Sequence, residues 1–387
     1  MVGAVLGVLG LGWLNATADF IAAIYTRLFQ LLAVPTIVLA VITTFATFGS
    51  KGSGRIFGRT LIYTLLTTFT AAAVGALLYV VIDPSNLPCL GEAQSSPPTQ
   101  GELEGVSVSY LDHILNVIPN NIVKPFLEGN VLSLLLLAFA IGIGLSKLPE
   151  SENKSVVVKG LLGLQDLLFL LIRGLIWTLP LGIVAFSAQL SAQVSAGVVA
   201  DSIGKYVLVV LGGNVIQFFI ILPLFLLARG LNPIHVLGRM MPAVLMALFT
   251  KSSAATLPVT MESAEQRLGV RKEIARFVLP ICTTINMNGC AAFILVTSLF
   301  VMQNGSTPLT LGTILLWLLI SVVSAVGNAG VPMGCFFLTL SLMSGIGAPV
   351  AILGVILPIY TIIDMVETAE NVWSDSCVCA MTDHDLK

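Results

Sequence analysis

The sequence predicts an all-α polytopic membrane protein of about eight transmembrane helices plus two re-entrant helical hairpins. Three observations carry that prediction. Hydrophobic residues make up 56% of the 387, and the mean hydropathy is +0.99. Only 10% are charged, against about 25% in a soluble globular domain. Apolar runs long enough to cross a bilayer recur through most of the chain, as in "LFQLLAVPTIVLAVITTFATF" (28–48) and "YVLVVLGGNVIQFFIILPLFLLA" (206–228). The formal net charge of −2 argues against a nucleic-acid partner.

The opening stretch "MVGAVLGVLGLGWLNA" lacks the basic n-region of a cleavable signal and is short for a span. Two helices are expected within 1–55 and a third within 56–82. Between the second and third runs, "GSKGSGRIFGR" supplies Lys51, Arg55 and Arg59. The loop at 83–105, "DPSNLPCLGEAQSSPPTQGELEG", has acids but no Lys or Arg, and "ESAEQRLGVRKEIARF" (262–277) is basic again. The positive-inside rule puts the first and third of these in the cytoplasm and the 83–105 loop outside, with a cytoplasmic C-terminus. A fourth and fifth helix are expected within 106–200. A sixth helix, a hairpin at about 236–269, a seventh helix, a hairpin at about 311–343 and an eighth helix are expected within 201–387.

The hairpins rest on a weak internal repeat. "KSSAATLPVT" (251–260) and "AVGNAGVPMG" (325–334) are small-residue runs that reach Pro258 and Pro332, each preceded by an apolar arm of about a dozen residues. Non-helical backbone at such a tip is tolerated at membrane depth only when buried in protein or lining a cavity. Paired, interrupted segments of this kind point to a binding site near the bilayer midplane. A long apolar helix, "LPICTTINMNGCAAFILV", follows the first hairpin and carries Thr283, Thr284, Asn286 and Asn288.

The eighth helix is the least lipid-like. "IYTIIDMVETAENVWSDS" (359–376) holds Asp364, Glu367, Glu370 and Asp375 after a long aliphatic run. An Asp at a helix centre costs roughly 2.5–3.5 kcal/mol on insertion, and each Leu, Ile or Val returns about 0.3–0.6. The aliphatic run therefore offsets one or two acids, so four must face protein or water. At 100° per residue, Asp364, Thr368, Asn371 and Asp375 share about 60° of arc, with Glu367 some 40° beyond. Glu370 falls about 100° or more from the centre of that stripe. Oxygen-bearing side chains on one face, with carbonyls from the hairpin tips, suit a hard cation such as Na⁺.

Six cysteines make no framework. Cys282, Cys290 and Cys335 lie in apolar or small-residue stretches, and Cys89 stands alone in a polar loop. Cys377 and Cys379 have C-x-C spacing without the matching pair that a zinc site needs. Other function classes fit poorly. An intramembrane aspartyl protease needs carboxylates from different helices, and Asp364 and Asp375 share one. Serine hydrolysis needs a base, and Ser252 and Ser253 follow Lys251 with no nucleophile elbow. His113 and His235 read as interfacial and His384 as tail. A channel is the stronger rival, since polar pores also bury acids. Two hairpins of unlike sequence favour a carrier that closes over its substrate.

These motifs together resemble the glutamate transporter family, the dicarboxylate/amino acid:cation symporters. "TKSSAATLPVT" is similar to its serine-rich first hairpin, "TTINMNGC" to its Asn-Met-Asp-Gly-Thr motif, "GNAGVP" to its second tip, and "IIDMVETAENVWSD" to its last helix. The resemblance covers nearly the whole chain and marks a prokaryotic-type member with an altered substrate site. It implies a symporter coupled to sodium, protons or both, with no organic cofactor, working by an elevator mechanism as a homotrimer in the cell (inner) membrane. A scaffold domain would comprise 1–55 and 106–200, and a transport domain 56–82 and 201–387.

Carried over residue by residue, Asp364 matches the aspartate that binds the substrate α-amino group. Ser253, with Ser252 beside it, Asn371 and the backbone around Val331 match groups that hold the α-carboxylate, and Thr368 a further contact. Asp375, Asn371 and Asn286 match a first sodium site. Thr284 with the backbone of Ala325, Val326 and Asn328 matches a second, and Thr67, Thr68, Asn286 and Asn288 a third. The departures point to the substrate. Glu367 stands where acidic-substrate members place an arginine, and Cys290 replaces a threonine. Asn288 replaces an aspartate of the third sodium site, and Tyr360 an acid one turn before Asp364. A neutral or cationic amino acid is expected. Three readings stay open: Glu367 pairs with a cationic side chain, it is protonated and bonds a neutral polar one, or Lys251 neutralises Glu367 or Glu370. In a fourth, Lys251 holds the carboxylate of an acidic amino acid or dicarboxylate. Glu367 and Glu370 are also candidate proton carriers.

Overall fold

The computed structural model describes residues 12–48, 54–84, 86–87, 118–128, 131–193, 196–326, 328 and 333–386. The described residues are helical with short connections, and no strand occurs among them. The longer helices are α1 (Gly12–Phe48), α2 (Gly54–Ile82), α3 (Val131–Lys147), α4 (Glu152–Gln193) and α5 (Ala196–Ile216). A π turn, Gln217–Ile221, carries α5 on into Leu222–Ala228. Then come α6 (Pro233–Thr250), α7 (Ser253–Glu262), α8 (Lys272–Ile285), α9 (Asn288–Asn304), α10 (Leu311–Ala325), α11 (Gly334–Gly345) and α12 (Ala351–Asp385). Six stretches of the described residues are long and apolar enough to cross a membrane. Leu77, Val81, Trp177 and Phe249 are more than 60% exposed, as a lipid-facing surface requires.

Several expectations change. Of the stretch 1–55, where two helices were expected, residues 12–48 form one helix, Gly12–Phe48, with Pro35 inside it, and residues 1–11 lie outside the described residues. No turn residues separate its apolar runs, and at 1.5 Å per residue it is about 55 Å long. The first hairpin is α6 with α7, which a π turn, Ser263–Leu268, prolongs. Its first arm is not short: α6 has 18 residues, because Asn232 caps it by accepting from the N–H groups of Ile234 and His235 and Pro233 follows at the first helical position. The expected seventh helix is broken at Asn286–Met287 into α8 and α9. The 83–105 loop with Cys89, and His113, lie almost wholly outside the described residues.

Packing places the polar helices inside. α1 lies against α3 and α4, and α2 against α9, α5 and α10. The α1–α3 approach is close because Gly142 has no side chain; a Cβ there would stand 2.8 Å from Phe45 Cβ. The two hairpins pack on α9 and α12, with α6 and α7 on α12, and α10 and α11 on α9. At one end of α12, Asp383 accepts from Arg271 Nε at 2.7 Å, and Asp385 pairs with Arg59 at 3.3 Å and Arg229 at 3.8 Å. The Tyr63 hydroxyl also donates to Asp385.

Candidate functional site

Both hairpin tips converge on one acid of α12. Lys251 ends α6 at φ 53, a left-handed conformation that costs a lysine energy and turns the chain sharply into Ser252. Ser252 caps α7 by accepting from Ala255 N at 3.2 Å, and Ser253 is buried beside it. The Lys251 ammonium lies close enough for its charge to act on Asp364. From the second hairpin, the N–H of Met333, itself at φ 63, donates to Asp364 Oδ2 at 3.2 Å. Val331 lies outside the described residues. Of the acids on α12, Asp364 is the one on which the Lys251 charge acts, and among the described residues no ion pair joins Lys251 to Glu367 or Glu370.

Glu367 is buried on the same side of α12. Tyr360 donates to Glu367 Oε2 at 3.2 Å and reaches Asp364 Oδ1 at 3.5 Å, held between the rings of Phe293 and Phe336. Glu367 Oε1 accepts no hydrogen bond, and the residue forms no ion pair among the described residues. Thr368 donates back to Asp364 O at 2.7 Å. Asn371 accepts from the Gly289 N–H at 3.0 Å, and its amide N–H faces Cys290 Sγ at 3.4 Å.

Cys290 of α9 and Cys335 of α11 form a disulfide, a pairing the sequence reading did not anticipate. They are 45 residues apart and meet because the second hairpin folds back onto α9, a pairing that spacing alone does not disclose. Asn328 donates to both sulfurs, at 2.9 and 3.1 Å. Ligand atoms of Cys290, Cys335 and Glu367 lie within 4.8 Å of one another, but sulfurs joined in a disulfide offer no thiolate. Cys282, Cys377 and Cys379 are free and buried, with no metal-ligand set around them among the described residues.

The break between α8 and α9 gathers the amides. Thr67 donates to Asn286 Oδ1 at 3.1 Å and Thr68 to Asn288 Oδ1 at 2.9 Å. Asn286 donates to Asp375 Oδ1 at 2.9 Å, and both asparagines donate to Ser374 Oγ, at 3.0 and 2.7 Å. Thr67, Thr68, Asn286, Asn288, Asn371 and Asp375 are thus drawn together where α2, α9 and α12 meet. Asp375 Oδ2 accepts nothing and is buried, an acceptor suited to a hard cation. Thr284 stands apart, donating to Ile281 O at 2.8 Å. Its neighbour Ile285 shares an apolar cavity with Val326, at the end of α10 next to Ala325.

Glu370 lies off the polar stripe, as its helical-wheel angle predicts, but not in lipid or water. It is fully buried, facing α9 and α5. Asn214 and Gln217 of the α5 segment, which the sequence reading missed, are buried there too, each with an unpartnered oxygen. An asparagine and a glutamine inside an otherwise apolar span were the available signal.

A sequence profile described as the Sodium:dicarboxylate symporter family matches residues 1–385. Neutral amino acid transporter B(0) of Oryctolagus cuniculus is 30% identical over 98% of this chain and 75% of its own length. Neutral amino acid transporter A of Homo sapiens is 30% identical, covering 92% and 74%. Excitatory amino acid transporter 2 of Rattus norvegicus is 29% identical, covering 91% and 70%.

Proposed function

This chain belongs to the sodium:dicarboxylate symporter family, and we propose that it couples sodium entry to symport of an amino acid with a neutral or cationic side chain. It is a multi-pass membrane transporter and not an enzyme. The observation that carries the substrate reading is Glu367, buried beside Asp364 with no cationic partner among the described residues. Asp364 takes the substrate α-amino group, and Ser253 and Asn371 take its α-carboxylate. A second carboxylate on the substrate would then meet Glu367 at close range. At about 4 Å and an effective dielectric constant near 20, that repulsion is about 4 kcal/mol. A lysine or arginine side chain pairs with Glu367 instead, and a neutral polar one hydrogen-bonds to it.

Two of the relatives are named as neutral amino acid transporters, which supports the neutral end of this range, and the third is named as an excitatory amino acid transporter. Sodium is held first by Asp375, Asn371 and Asn286, then by Thr284 with the backbone of Ala325, Val326 and Asn328. The third set is Thr67, Thr68, Asn286 and Asn288. The orphaned Asp375 Oδ2 supports the first set. In the third, Asn288 supplies an amide rather than a carboxylate, which weakens it.

We place α1, α3 and α4 in a scaffold domain that forms a trimer, and α2 with α5–α12 in a transport domain that moves as an elevator in the cell membrane. The arginines gathered around Asp383 and Asp385 support a cytoplasmic C-terminus.

Thermal unfolding of the purified protein with each proteinogenic amino acid, succinate, malate and fumarate, in Na⁺ or K⁺, tests the reading. Stabilisation by lysine, arginine or a neutral amino acid, in Na⁺ only, is expected. Stabilisation by aspartate or succinate would overturn it and assign Lys251, already near Asp364, to the second carboxylate.

A further inference from the structure

Glu370 is 0% exposed, both of its carboxylate oxygens lack a hydrogen-bond donor, and it forms no ion pair among the described residues. Its neighbours are arranged for something else. Asn214, 1% exposed, spends its N–H group on Val210 O at 2.8 Å and leaves Oδ1 unpartnered. That oxygen and Glu370 Oε2 converge on one point: they stand 2.8 and 2.7 Å from where a Cβ on Gly289 would be. The absence of a side chain at Gly289 is what lets helices α5 and α12 bring two acceptors together across α9. The Asn288 amide gives one N–H to Ser374 Oγ at 2.7 Å and turns the other toward Glu370, close enough to act on the carboxylate but short of a well-formed hydrogen bond.

Two acceptors facing each other repel unless a cation lies between them or the carboxyl carries a proton, and the two cases are separable by experiment. Oxygen donors select a hard cation, and a single carboxylate matches a single charge. We propose that Glu370 and Asn214, over the floor left open by Gly289, form a sodium site separate from the three sets named above. The assignment rests on the sodium-coupled reading for its role in transport, but not for its test.

The test counts ions without substrate. Thermal unfolding of the full-length protein in detergent is followed against NaCl, with choline chloride holding the ionic strength, for wild type, Glu370→Gln, Asn214→Leu and Asn214→Asp. Each bound ion adds a dependence of stability on the logarithm of sodium concentration. Glu370→Gln and Asn214→Leu are expected to lower the apparent number of ions by one. Asn214→Asp, which adds a charged ligand, is expected to shift the sodium midpoint about tenfold lower. An unchanged ion count in Glu370→Gln overturns the proposal. So does a loss of pH dependence in place of sodium dependence, which would make Glu370 a proton carrier. If one variant fails to fold, Asn214→Asp decides alone, since an unaltered sodium midpoint refutes the site. Because no amino acid is present, a failed substrate prediction leaves the result standing.

Discussion

Replacing Gly289 with alanine loads the most crowded point between α9 and α12. The new Cβ would stand 2.7 Å from Glu370 Oε2, 2.8 Å from Asn214 Oδ1 and 3.0 Å from the Glu367 Cα. Unbonded carbons rest at about 3.5–4.0 Å, so all three neighbours must give way. The two oxygens sit on rotatable side chains, though both are enclosed. The Glu367 Cα is backbone and has no rotamer to change. Overpacking of this kind costs about 1–3 kcal/mol, and if α12 moves aside, the bond from the backbone N–H at position 289 to Asn371 is stretched, which adds up to about 1. The helical preference of alanine over glycine returns at most about 1 kcal/mol. A net loss of about 2 kcal/mol is expected. Gly144→Ala in α3, where nothing lies within 4 Å of the added carbon, isolates the helical preference and is expected to be neutral or stabilising. Reversible unfolding in mixed detergent micelles measures both. Equal stabilities would refute the reasoning, because Glu370, Asn214 and α12 would then have room to spare at Gly289.

Glu367→Gln is expected to weaken lysine binding by about ten- to a hundredfold and to shift neutral amino acids by less than about threefold, read by competition binding. Equal losses for both would remove Glu367 from selectivity. Asp385→Ala strips Arg59, Arg229 and the Tyr63 hydroxyl of a shared acceptor. With both arginines more than 40% exposed, about 1–2 kcal/mol of stability is expected to be lost, measured by thermal unfolding. An unaltered midpoint would mean that these groups find water instead. Between α7 and α8, Arg276 bonds Glu265 at 2.8 Å and holds that carboxyl below its usual range. A depressed folded-state value stabilises above the unfolded carboxylate's range and is lost as pH falls through it. Wild type is therefore expected to melt slightly above Glu265→Gln at neutral pH and level with it at about pH 3. A gap of the same size at both would exclude the ion pair.

The fold class was legible because lipid tolerates few architectures, so hydropathy alone reaches helices. The hairpins were legible because Lys251, Ser252 and Pro258 sit where no lipid-facing span would put them. The break at Asn286–Met287 was less so. Its signal, two asparagines and Gly289 within four residues, reads equally as a polar stripe on an unbroken helix, and only Asn371 of α12 capturing the freed N–H decides. A helical wheel gives the angle of Glu370 but not the helix across from it, so its partner Asn214 was invisible. The Cys290–Cys335 pairing belongs to the same class, fixed by how the second hairpin folds back.

The dependence of the α8–α9 break on α12 has a consequence for biogenesis. Asn286 and Asn288 donate to Ser374 and Asp375, Gly289 donates to Asn371, and Arg59, Arg229 and Arg271 pair with Asp383 or Asp385. Every one of these acceptors is made after the groups it serves. At roughly 5–20 residues per second, about 80 residues of synthesis separate the break from its acceptors, an interval of about 4–16 seconds. Through that interval the nascent chain holds an unsealed polar seam inside the membrane. A chain that ends before α12 leaves those donors without the acceptors that complete them, so the last helix to be made is the one that closes the polar interior.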